Sequence, residues 1–132
     1  MQNGSERSDD ELLAAARAAR EHAYAPYSAV AVGAALLSED GTLVTACNVE
    51  NASYGLSICA ERAAVAAAVA AGKRRFVALA IAGPDHGATP PCGACRQFLY
   101  EFAPNVRVLY SDGDGYEVTA LDELLPAAFE LP

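Results

Sequence analysis

Apolar positions along the chain switch between helical spacing and short continuous runs, and the switches mark the elements. Ser8 begins a capping box, with Glu11 three residues on and Leu12 and Leu13 following. The pattern predicts a helix from Asp9 to His22, and Pro26 bars any continuation. Val30 to Leu37 and Leu43 to Asn48 read as strands joined by the Asp40-Gly41 turn signal. Asn51 to Ser57 is polar and turn-like, and a helix from Cys59 to Ala71 follows, with Gly72 at its C-cap. Phe76 to Ala82 is a continuous apolar run, typical of a strand buried on both faces. After a loop from Gly83 to Pro90, Pro91 presets the first turn of a helix reaching Phe102. Val106 to Tyr110 is another buried strand and Tyr116 to Val118 a short fifth one. Thr119 is placed to cap a last helix, Leu121 to Leu125. Helices alternating with buried strands predict one layered α/β domain whose sheet opens with a hairpin, and about seven flexible residues at its N-terminus.

Composition supports a folded chain. Of the 132 residues, 53% are hydrophobic and 20% charged, which excludes a disordered one. No apolar stretch approaches the roughly 20 residues a bilayer crossing needs. The opening segment MQNGSERSDDE lacks the apolar core of a signal peptide, so a soluble, cytoplasmic protein is expected. The net charge is −8, and the one basic run, Lys73-Arg74-Arg75, follows a helix, where it complements the negative C-terminal end. Neither a polynucleotide nor a membrane partner is expected. Without an export signal, the cysteines Cys47, Cys59, Cys92 and Cys95 read as thiols or metal ligands rather than disulfides.

The strongest chemical signal is Pro91-Cys92-Gly93-Ala94-Cys95. Two cysteines three apart in the first turn of a helix point to one side, and the free N–H groups there favour thiolates. A CxxC alone leaves redox chemistry and half of a structural zinc site both open. Cys59-Ala60-Glu61 stands at a second helix start. If the two helices aim their N-termini at one point, Cys59, Cys92 and Cys95 supply three thiolates to one zinc, at about 2.3 Å each. Three protein ligands leave the fourth position to water, whose pKa zinc lowers to about 7. Glu61, a hard carboxylate beside the thiolates, is then free to move protons.

These motifs, together with Asn48-Val49-Glu50-Asn51-Ala52 and Cys59-Ala60-Glu61-Arg62, resemble those of the small homotetrameric zinc-dependent cytidine deaminases. The resemblance runs from Tyr24-Ala25-Pro26-Tyr27-Ser28 to Leu124-Leu125-Pro126-Ala127-Ala128-Phe129, nearly the whole chain. It implies a three-layer α/β/α domain with a mixed sheet of about five strands. It also implies hydrolysis of free cytidine and deoxycytidine to uridine and deoxyuridine, in pyrimidine salvage, with one zinc per subunit. Glu61 would relay protons from water to N3 and then to the departing amine. Arg62 would hydrogen-bond the cysteine sulfurs and offset their charge. Asn48 and Glu50 would hold the 3′-hydroxyl, Ala60 would be among the substrate-binding residues, and Tyr54 and Phe129 would complete a neighbour's active site. The Ala- and Val-rich stretch from Ala63 to Ala71 would pack at the centre of a tetramer. One position departs from the family: Val30 stands where an aromatic ring usually faces the substrate. That departure leaves room for a modified cytosine nucleoside such as blasticidin S as the alternative substrate.

Other signals carry less. Cys47 as a fourth ligand would close the site and make it a structural module that binds a partner. His22 and His86 lack ligand spacing. Asp112-Gly113-Asp114-Gly115 is similar to a calcium loop, but Tyr116 replaces an oxygen ligand and Glu117 the required Gly, so a hairpin turn is expected. The role of Arg96 stays open.

Overall fold

The computed structural model describes residues 7–132, so the flexibility expected at the N-terminus falls almost wholly outside the described residues. Helix α1 (Asp9–Arg20) starts where the capping box placed it: the Ser8 hydroxyl oxygen accepts a hydrogen bond from the Glu11 N–H. It ends before His22, because the His22 and Ala23 amides bond three residues back and tighten the chain into a turn. Strands β1 (Gly33–Ser38), β2 (Leu43–Cys47), β3 (Phe76–Ala82), β4 (Arg107–Asp112) and β5 (Gly115–Ala120) form one sheet in the order β2-β1-β3-β4-β5. Only β3 and β4 run parallel; every other pairing is antiparallel, so the sheet is mixed. The β4–β5 turn is the hairpin expected at Asp112–Gly115, with Gly113 at φ 64°.

Alternation along the strands divides the core into two layers. Ala34, Leu36, Leu79, Ile81 and Val108 face the helices α2 (Ala60–Ala70), α3 (Gly93–Tyr100) and α4 (Leu121–Leu124). Ala35, Leu37, Ala78, Ala80, Ala82 and Leu109 face α1, which contributes Leu12, Leu13 and Ala16. The domain is therefore the expected three-layer α/β/α sandwich. Alanines on the α1 side let that helix approach the sheet closely, most closely at Gly33. A Cβ on Gly33 would sit 1.9 Å from the Ala16 carbonyl oxygen and 2.5 Å from the Arg20 amide nitrogen, both backbone atoms that cannot move aside. Gly33→Ala is expected to destabilise the fold by about 3 kcal/mol, read as a shift in the midpoint of urea denaturation.

Besides the end of α1, three of the boundaries that differ from the sequence reading have a clear local reason. The strand expected from Val30 begins only at Gly33, because the Asn48 side chain takes the place of the backbone ladder: its Oδ1 accepts from Val32 N at 2.9 Å and its Nδ2 donates to Val30 O at 2.8 Å. Pro91 does not lie inside α3; Cys92, with an extended backbone, is the N-cap, and the helix ends at Tyr100. Thr119 does not cap α4 either. It belongs to β5, Ala120 takes the cap position, and the Thr119 hydroxyl bonds Glu123 Oε2 at 3.1 Å.

The basic run is absorbed locally. Lys73 pairs with Asp40 at 2.6 Å, and Arg74 donates to the Val69 carbonyl of the last turn of α2 at 2.8 Å. Among the described residues no helix is long and apolar enough to cross a membrane.

Candidate metal centre and its cleft

The two signature helices do converge. Cys59 is the N-cap of α2 and Cys92 the N-cap of α3, and neither thiol caps its own helix, so both are free to point elsewhere. Cys95, at the third position of α3, stands in the spacing by which an N-cap side chain meets its own first turn. Cys92 Sγ lies 3.3 Å from Cys95 Sγ and 3.8 Å from Cys59 Sγ. All three sulfurs fall within 4.8 Å of one another, the only such group of metal-ligating side chains among the described residues. Sulfurs bound tetrahedrally to one zinc are about 3.8 Å apart, so the cluster fits that ion. Cys47, His22 and His86 are not in it.

The electrostatics of the cluster favour a thiolate. Hydrogen bonding from the neighbouring Cys95 thiol, with Arg62 and Cys92 assisting against burial, brings Cys59 down to about 5. The same bond and its own burial push Cys95 up. Arg62 Nη2 stands 3.7 Å from Cys59 Sγ. Its Nε is buried with no hydrogen-bond partner among the described residues. An orphaned donor beside the sulfurs fits a centre carrying more negative charge than three thiols, as a tris-thiolate metal site does. Glu61, in the first turn of α2, is only 6% exposed. Burial pushes its carboxyl above the usual carboxylate range; the Cys95 thiol and Arg62 pull the other way without prevailing. Ala60 beside it is fully buried.

A second group of residues is joined by backbone pairing to the segment that leads into α2. Val49 exchanges hydrogen bonds with Ile58, one residue before Cys59, at 3.0 and 2.9 Å. That pairing sets Asn48 and Glu50, on either side of Val49, beside the approach to the metal helix. Glu50, Tyr27, Ser28, Tyr54 and Ser57 line a cleft of about 300 Å³. Tyr54 sits in a 3₁₀ turn (Tyr54–Leu56), 74% exposed, with its ring edge-on to Tyr27 at 5.8 Å. Val30 is 43% exposed, on the segment held by Asn48. Phe129 is not brought to this cleft. It lines a groove with Tyr100 and Pro104, its backbone paired with the Gln97 side chain.

The model of the cytidine and deoxycytidylate deaminase zinc-binding region matches residues 6–111. The chain belongs to that deaminase family. Relatives include the cytidine deaminase of Sporosarcina psychrophila, 47% identical over 91% of this chain and 90% of the relative. The cytidine deaminase of Halalkalibacterium halodurans is 48% identical over 89% of this chain and 91% of its own. Among solved structures, cytidine deaminase from Burkholderia pseudomallei matches with a TM-score of 0.90 at 50% identity, covering 93% of this chain and all of that one. The enzyme from Mycobacterium tuberculosis matches at 0.83 and 43% identity, over 95% of this chain and all of its own. The deaminase family's zinc-binding region and the three-sulfur cluster together give this chain a site for one zinc ion.

Two contacts within the family's signature went unread in the sequence. Arg96, whose role was open, donates from Nε to the Pro91 carbonyl at 2.7 Å and from Nη1 to the Leu124 carbonyl at 2.8 Å, tying the metal helix to the end of α4. Ser28 bonds the Glu50 carboxylate. An arginine beside a metal-ligating cysteine is the signal for the first; nothing local signals the second.

Proposed function

We propose that this chain catalyses the zinc-dependent hydrolytic deamination of free cytidine and deoxycytidine, releasing ammonia and feeding pyrimidine salvage. The observation that carries it is a buried carboxylate, Glu61, beside three convergent cysteine sulfurs. Zinc held by Cys59, Cys92 and Cys95 would supply Lewis acidity and lower the pKa of water in an open fourth position.

The chain's own groups would handle the protons. Glu61 accepts one from the attacking water and passes it to N3 of the base, where it stays in the product. The water oxygen bonds C4. Glu61 then takes the remaining hydroxyl proton and delivers it to the 4-amino nitrogen, the C4–N bond breaks, and ammonia leaves. One carboxylate suffices for both transfers because it stays within reach of all three atoms. A carboxylate that burial makes more basic is the better acceptor for the water proton. Arg62, donating to Cys59, offsets the charge of the sulfurs. Asn48 donates to the sugar from Nδ2 and Glu50 accepts from it, with Val30 and Ala60 beside the base.

We further propose a homotetramer with dihedral symmetry, in which Tyr54 and Phe129 complete a neighbour's site. Both rings are more than two-thirds exposed, and neither closes its own chain's metal centre. A cytosolic location suits cysteines kept as thiolates. The alternative substrate, a modified cytosine nucleoside such as blasticidin S, draws no support from the relatives described above, which are named cytidine deaminases.

Zinc-loaded protein incubated with cytidine should lose the cytidine ultraviolet band and yield uridine on chromatography, and should sediment as a tetramer. A zinc-loaded protein that leaves cytidine intact overturns the reaction; an active, stable monomer overturns the shared site.

A further inference from the structure

Glu50 is held more tightly than an exposed carboxylate needs to be. Its Oε1 accepts from Tyr27 N at 3.0 Å and from Ser28 N at 3.1 Å, and its Oε2 accepts from the Ser28 hydroxyl. The Ser28 oxygen in turn accepts from Val30 N at 3.0 Å. With that side of the hydroxyl used, its single proton is committed to Glu50. Ala29, between them, has φ 61°, a left-handed conformation that costs a non-glycine residue energy. The strained turn is what lets Ser28 face the carboxylate and the Val30 amide at once.

An ionised carboxylate offers about four acceptor positions. Three donors from Tyr27 and Ser28 fill both of those on Oε1 and one on Oε2. We infer that Ser28 is a positioning residue for substrate recognition: its hydroxyl fixes the Glu50 carboxylate so that a single acceptor position, on Oε2, remains for one sugar hydroxyl in the cleft. This rests on the reading of Glu50 as a ribose ligand. The same hydrogen bond from Ser28 holds Glu50 below the usual carboxylate range, which keeps it an acceptor. Ser28 is itself exposed, so replacing it removes the hydroxyl without opening the core.

The test compares cytidine with 3′-deoxycytidine as substrates of zinc-loaded wild type, Ser28→Ala, Ser28→Thr and Glu50→Ala. Ser28→Ala should raise KM for cytidine about tenfold, the loss of one charge-assisted hydrogen bond. Its kcat should stay within twofold, and KM for 3′-deoxycytidine should not change, so the preference for the 3′-hydroxyl collapses. Ser28→Thr, which keeps a hydroxyl, should retain the preference. If Ser28→Ala keeps the preference while Glu50→Ala loses it, positioning by Ser28 is wrong and the reading of Glu50 stands. If Ser28→Ala weakens both substrates equally, the serine is merely structural and the inference is overturned. A wild type without preference, or Glu50→Ala with a full one, removes the reading of Glu50 and the inference with it.

Discussion

Glu61→Gln is expected to cut cytidine turnover by about 10³- to 10⁴-fold while zinc content stays at that of the wild type. A single general acid–base group contributes about 10²- to 10⁴-fold, and in the proposed relay one group serves both proton transfers, so the upper part of that range applies. The substitution suits the site, because glutamine keeps the shape of a side chain that is only 6% exposed and removes a charge that burial disfavours. Folding should therefore survive, and thermal unfolding of the variant should match or exceed that of the wild type. Zinc should survive too, since the three sulfurs form a complete cluster without the carboxylate. Uridine formation within tenfold of wild type, in protein with one zinc per chain, would sink the proton-relay role.

The elements of the fold were legible because each has a local cause. The Ser8–Glu11 box, the apolar run from Phe76 to Ala82 and the Asp112–Gly115 turn announce themselves within a few residues. Strand order was not legible. β1 lies between β2 and β3, and nothing near Gly33 states that Ala82 pairs with it across some 50 residues. The meaning of the alanines was hidden for the same reason. Ala35, Ala78, Ala80 and Ala82 look like diluted strand residues until α1 is placed on them, where small side chains permit its approach. The late start of β1 comes from Asn48, a side chain that substitutes for a strand partner; periodicity reads apolar positions and does not see it.

The candidate site divides along the same line. The cysteine spacings and the helix starts place three sulfurs together because the N-cap and first turn of a helix are geometrically fixed points. Glu61, two residues from Cys59, follows automatically. What the sequence left dark are side chains that act on distant partners: Ser28 on the Glu50 carboxylate across 22 residues, Arg96 on the Leu124 backbone across 28, Gln97 on the Phe129 backbone across 32. Each is a common polar residue with no spacing rule of its own. Phe129 illustrates the limit: family resemblance assigns it to an active site, and in one chain it lies in a separate groove.

Cys95→Ala is expected to reduce bound zinc from one per chain to a trace in the presence of a competing chelator, and to abolish turnover. Cys95 is 2% exposed and its sulfur lies within 4.8 Å of both others, so no outside group can take its place. Two thiolates make a poor zinc site, and the free energy of metal binding is also folding free energy. With free zinc at about 1,000 times the dissociation constant, wild type gains about 4 kcal/mol from the ion. Chelator should therefore lower the wild-type unfolding temperature and leave that of Cys95→Ala unmoved. Cys47→Ser is the discriminating partner. Cys47 ends β2 opposite Gly33 and stands outside the sulfur cluster, so its replacement should preserve both zinc and turnover. A structural module closed by four cysteines demands the opposite: Cys47→Ser would release zinc, and no variant would act on cytidine. Measuring zinc per chain and uridine formed in the two variants side by side separates a catalytic centre with an open position from a closed structural one.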